Sequence, residues 1–283
     1  MGGGGDDSAD TDIYIRGDTR LIHGNAQTGQ GGTVSRWTYG GSFGGYIDGN
    51  TYSELHGGIV DTLEGCGYYA RRVWGSSRAL VTGGQVDWFL SGGGWDDQYI
   101  GGNASVVVTG GVVNASMGGS YGNSTAHTIA GDTDVRVYGG DFSGVTGRGS
   151  TGAMEGFHAG ATRNGQVLGN SKTTLDLRTK REEGTDRLYI IDDLGDKWYC
   201  DPFVAPKNTF ITGGRTTDSG SDSTLGSSAD NTITLNIYTN PGEDVLSGLN
   251  VYGDAGATAA KTNSGKIIVN IDAPDSSIGT VYA

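Results

Sequence analysis

A chain of 283 residues with 32 acidic and 19 basic side chains has a net charge of −13, which excludes the basic face that nucleic-acid phosphates demand. No apolar run approaches the roughly 18 residues of a membrane helix. Although 54 residues are glycine, the apolar residues alternate regularly, which argues for packed β-structure and against disorder.

Residues 1–12, "MGGGGDDSADTD", lack the basic and apolar regions of a signal peptide and read as a flexible leader. Arg16-Gly17-Asp18 follows, the tripeptide that integrin ligands display. From 51 onward a unit recurs: "TYSELHGGIVDTLEGCG", then "SSRALVTGGQVDWFLSGGGWDD", "ASVVVTGGVVNASMGGS" and "TDVRVYGGDFSGVTGRGS". The glycine pairs Gly57-Gly58, Gly83-Gly84, Gly110-Gly111 and Gly139-Gly140 are separated by 26, 27 and 29 residues, a period that marks a repeat architecture. Before each pair stand Ser53/Leu55, Ala79/Val81, Val106/Val108 and Val135/Val137. Their spacing of two predicts the buried face of a strand, with Glu54 and Arg136 turned to solvent. After each pair comes Val60, Val86, Val113 or Phe142, so every unit reads as strand, glycine corner, strand and Gly-rich turn.

The units predict an all-β chain, a right-handed parallel β-helix (β-solenoid), its hand following the preference of crossover connections. The helix is expected over 13–182. A charged segment at 183–208, with "RLYII" and "KWYCD" around the turn "DDLGD", is expected to form a hairpin insertion projecting from it. The pattern resumes over 209–283 and reads as cut off at Ala283, so the uncapped ends offer a route to self-association.

The units at 76–150 and 265–282 resemble the Gly-rich β-helix repeats of large secreted or cell-wall-attached bacterial proteins, the adhesin-like members of the pectin-lyase-like superfamily. That resemblance implies a structural or adhesive module, extracellular or on the cell surface, with a glycan or host-surface ligand. An enzyme, a polysaccharide lyase or glycoside hydrolase, is the alternative, and a fibre or phage-appendage subunit is a second. The β-helix polygalacturonases carry Asn-Thr-Asp, an Asp pair, Gly-His-Gly and Arg-x-Lys in order. Here Asp96-Asp97, His158 in "FHAG" and "RTK" at 178–180 are present, but Asn-Thr-Asp is absent, His158 lacks its flanking glycine and the spacings are too long. If the chain is an enzyme, Asp96 and Asp97 are its catalytic acids.

The candidate ligand-binding residues are Trp88, Trp95, Asp96, Asp97 and Tyr99, with Arg71, Arg72 and Trp74 one repeat earlier. Rings stack on the apolar faces of sugars while acids and arginines take the hydroxyls. This reading requires Trp88 or Trp95 to be exposed. Asp61 and Asp87 occupy matching positions in successive units, where Ca²⁺ could bridge them. The histidines His23, His56, His127 and His158 have no metal-ligand spacing. Cys66 and Cys200 are expected some five repeats, about 25 Å, apart at ~4.8 Å per layer, and therefore unbridged.

Overall fold

The computed structural model describes residues 13–68, 71–95, 98–114, 116–144, 157–158, 160–206, 210–214, 224–254 and 265–282. Among them there is no helix; the chain is all-β, with parallel sheets of seven, eight and eleven strands and one antiparallel sheet of three. The arrangement is compatible with a β-solenoid.

The eight-stranded sheet follows the repeat closely. Thr51–Leu55 pairs in parallel with Ser77–Val81, which pairs with Ala104–Val108, then Thr133–Val137, each in direct register. The predicted inward positions Ser53, Leu55, Ala79, Val81, Val106, Val108, Val135 and Val137 are all fully buried. They pack against Val60, Leu63, Val86, Leu90, Val113 and Phe142, which enter the same core after the glycine corner. Gly84 and Gly111 sit at φ +79° and +82°, and a Cβ on either would lie within 2.8 Å of the carbonyl oxygen of the preceding corner glycine. Only glycine fits a corner that is both left-handed and stacked on its copy.

A second corner precedes each strand of this sheet, and it is held by a polar ladder. Asp18 Oδ1 accepts the Asn50 amide N–H at 2.7 Å, Asn50 Oδ1 that of Ser76 at 2.8 Å, and Ser76 Oγ that of Asn103 at 3.0 Å. Asn103 Oδ1 then accepts Asp132 N–H, Asp132 Oδ1 accepts Asn170 N–H, and Asn170 Oδ1 accepts Thr232 N–H. The ladder satisfies backbone donors that the turn removes from the sheets. Its signature is glycine followed by Asp, Asn or Ser in "RGDT", "DGNT", "WGSS", "GGNA", "AGDT" and "LGNS". Arg16-Gly17-Asp18 is therefore a copy of this corner, with its carboxylate already committed to Asn50.

The charged segment departs from expectation in three ways. It forms three antiparallel strands, Lys180–Arg181, Leu188–Ile191 and Lys197–Cys200, instead of two. It does not project: Ile190, Cys200 and Trp198 pack on Leu80, Val107 and Tyr138, the outward apolar residues of the eight-stranded sheet. This flap ends before 208, because Phe203–Val204 joins the eleven-stranded sheet beside Gly140–Asp141. Glu54 and Arg136, expected in solvent, are both mostly covered, Glu54 held by Arg20 and His56, and Arg136 by Asp134 and the flap's Asp192.

Candidate functional site

The seven-stranded sheet consists largely of two-residue strands squeezed between a Gly-rich turn and the polar corner. Two residues suffice for one to point each way. Ile47, Val73, Ile100, Ile129, Val167 and Leu225 point inward and are fully buried. Their neighbours form an outward column: Tyr14 pairs with Tyr46 and Tyr46 with Arg72. Since Ile100 pairs with Val73, Tyr99 lies beside Arg72, and the column continues with Thr128.

Parallel strands separated by about 4.8 Å place planar side chains at stacking distance. Tyr14 and Tyr46 stack with ring centroids 4.8 Å apart and planes within 8°. The Arg72 guanidinium carbon lies 3.5 Å from the centre of the Trp74 ring and 4.3 Å from that of Tyr99. Trp74 is 50% exposed and Tyr14 61%. Four other arginines of the outer surface close on a carboxylate: Arg20 on Glu54, Arg136 on Asp134, Arg178 on Asp176 and Arg181 on Asp186. Arg72 closes on none among the described residues; its charge is held only by two ring faces, and its Nε is buried without an acceptor. The result is a partly exposed row of planar groups, flanked by the exposed Tyr14 and Trp74 rings.

Three of the predicted ligand-binding residues, Arg72, Trp74 and Tyr99, meet in this row, and Arg71 is exposed beside it. Tyr14 and Tyr46 escaped the sequence reading. Their signal is a ring before Ile and a glycine corner in "IYIRGD" and "GGYIDGN", matched by "QYIGGN" at Tyr99.

Trp95 requires a correction. It is 7% exposed and packs edge-on against the fully buried Phe89, with ring centroids 5.6 Å apart. Trp37, Tyr68 and Trp88 close around it. Trp95 thus fills the wall of the fold and presents no binding surface, whereas Trp88 keeps partial exposure. The cause is a bulge: Val60 pairs with Val86 but Thr62 with Phe89, so Asp87 and Trp88 together face the single residue Asp61. Asp96 and Asp97 lie outside the described residues.

The same bulge displaces Asp61 from a direct pairing with Asp87. Asp87 Oδ1 instead accepts the side-chain amides of Asn114 at 2.9 Å and Gln85 at 2.7 Å. Among the described residues no group of three or more His, Cys, Asp and Glu side chains is placed to hold a metal ion. Cys66 and Cys200 are free and buried, and burial pushes both thiols above the ordinary range, which makes them poor nucleophiles. Burial pushes His127 down to about 4, so it is neutral at physiological pH. Among the described residues no helix is long and apolar enough to cross a membrane.

Compared with known proteins, the chain matches no family model, no curated protein and no solved structure.

Proposed function

We propose that this chain is a right-handed parallel β-solenoid serving as a structural and adhesive module of a bacterial surface or secreted protein, and that it binds glycan on the Tyr14–Tyr46–Arg72–Tyr99 row. The observation that carries this reading is the partly exposed Arg72 guanidinium between the Trp74 and Tyr99 rings, with no carboxylate partner among the described residues. Flat rings spaced by the strand repeat suit the apolar faces of successive sugars, and the spare guanidinium donors suit their hydroxyls. A binding role also agrees with the geometry of the row, which among the described residues is an open line of planar groups along one sheet.

The test is a glycan array followed by titration of the best ligand. Trp74→Ala is expected to weaken binding by at least about tenfold, because stacking on one ring supplies on the order of 1–3 kcal/mol in comparable ring recognition. Its melting temperature should stay within about 2 °C of the parent, since a half-exposed ring contributes little to folding. Binding unchanged by Trp74→Ala, or absent from neutral and acidic glycans alike, overturns the reading.

Self-association belongs to the same proposal. The strand Lys266–Asp272 pairs only with Thr232–Thr239 among the described residues, and Ile267, Ile268 and Ile271 are exposed along it. An open edge with apolar side chains is a template for strand addition. Light scattering against concentration tests this directly; a constant monomer mass argues against it.

A further inference from the structure

Where the flap ends, the outer face of the eight-stranded sheet holds a pocket of about 200 Å³ lined by Arg20, Tyr52, Ser53, Glu54, Arg78 and Leu80. Arg78 stands between Tyr52 and Ser105 in the register, and the small Ser105 side chain leaves the room beside it. The flap's Trp198 lies against Arg78, with its ring centre 5.5 Å from the guanidinium carbon.

Arg78 makes no ion pair among the described residues, and its Nε is buried without an acceptor. The nearest acid of the pocket, Glu54, is already engaged: Arg20 Nε and Nη2 donate to its two oxygens at 2.8 and 2.9 Å, and His56 Nε2 lies 3.1 Å away. Burial lowers the Arg78 pKa, with Glu54 opposing that shift and Arg136 adding to it. A guanidinium stays charged under such conditions. A partly desolvated cation facing a cavity, with its forked donors unused, is complementary to a planar anion.

We propose that this pocket binds a monocarboxylate whose body is about one ring in size. The carboxylate takes the Arg78 fork, and the body lies against Tyr52 and Leu80. Size follows from volume, because a cavity of ~150 Å³ accommodates benzene. Single charge follows from Glu54, whose carboxylate lines the same pocket and repels a second negative group. This site lies on a different sheet from the tyrosine–arginine row and stands or falls independently of it.

The probes are sodium benzoate and cyclohexanecarboxylate, titrated into the full chain and followed by calorimetry and by tryptophan fluorescence, which Trp198 reports. Both are expected to saturate in the millimolar range, with neutral benzamide and dianionic phthalate each at least about tenfold weaker. Arg78→Gln is expected to abolish benzoate binding while leaving the melting temperature unchanged or raised, since it removes an unpaired, partly buried charge. Arg78→Lys keeps the charge but loses the fork, so an intermediate affinity is expected. Benzamide binding as tightly as benzoate, benzoate affinity retained in Arg78→Gln, or no saturation by ~50 mM overturns the proposal. Phthalate matching benzoate overturns its single-charge specificity.

Discussion

Alanine in place of Trp95 is expected to destabilise the chain by about 3–5 kcal/mol, the range for removing a buried indole or phenyl ring from a packed interior. Trp95 touches Phe89 from below while Trp37, Tyr68 and Trp88 cover it, so its removal opens a void that four rings cannot refill without moving. Its backbone is also tied at both ends, its N–H donating to the Gly67 carbonyl at 3.2 Å and its carbonyl accepting from the Gln98 side-chain Nε2 at 2.8 Å. Urea or thermal melts measure the loss. A change under about 1 kcal/mol, as for a surface substitution, would mean that the indole does not fill the wall. The contrast with Trp74→Ala is informative, because one tryptophan should move stability and the other ligand binding.

Asp192→Ala is expected to release the flap, at a local cost of about 2–4 kcal/mol, because it removes several hydrogen bonds to one ionised carboxylate whose losses do not add. Asp192 Oδ1 accepts the N–H groups of Leu194 at 2.9 Å and Asp196 at 3.0 Å, which shapes the turn. Its Oδ2 accepts Trp198 Nε1 at 3.0 Å, Arg136 Nη1 at 3.3 Å and the Tyr138 hydroxyl at 3.4 Å, which ties that turn to the eight-stranded sheet. One carboxylate thus closes the hairpin and docks it. Hydrogen exchange should rise over Leu188–Cys200 in this variant while the strands of the eight-stranded sheet stay protected. Uniform loss of protection would show instead that flap and sheets unfold as one unit.

The same carboxylate sets a pH dependence. Burial pushes the Asp192 pKa up, but the bonds from Trp198, Asp196 and Leu194 and the charge of Arg136 outweigh it, and the net shift is downward. A group depressed on folding adds stability that is present above its unfolded value, about 3.9 for aspartate, and lost as pH falls through the lower folded value. The flap should therefore stay closed at neutral pH and loosen only below about pH 4, with a change in Trp198 fluorescence that Asp192→Ala removes. Loosening near pH 6 would point to a histidine instead.

Much of the framework was legible in the amino-acid sequence because its causes are local and repeated. Alternation of period two selected Leu55, Val81, Val108 and Val137 for the interior, and each is fully buried. The glycine pairs marked corners where a side chain has neither an allowed φ nor space. The Asp/Asn ladder was equally present in the recurrent glycine-polar dipeptides, but its meaning depends on bonds to the next repeat, some 26 to 38 residues away.

What the tertiary structure decided were matters of partner and depth. Leu80, Val107 and Tyr138 break the polar outward pattern, and only the flap lying across them accounts for it. Trp95 and Trp74 belong to the same aromatic-rich stretch of sequence, yet one is interior and the other half exposed, because a bulge at Asp87–Trp88 sets the depth of the Trp95 cluster and the two-residue strand Arg72–Val73 sets the other. Arg20 and Arg78 occupy equivalent outward positions, but Glu54 takes only Arg20. Burial periodicity follows from a residue and its near neighbours, whereas ion pairing and ring depth depend on which distant side chain reaches the same few ångströms first.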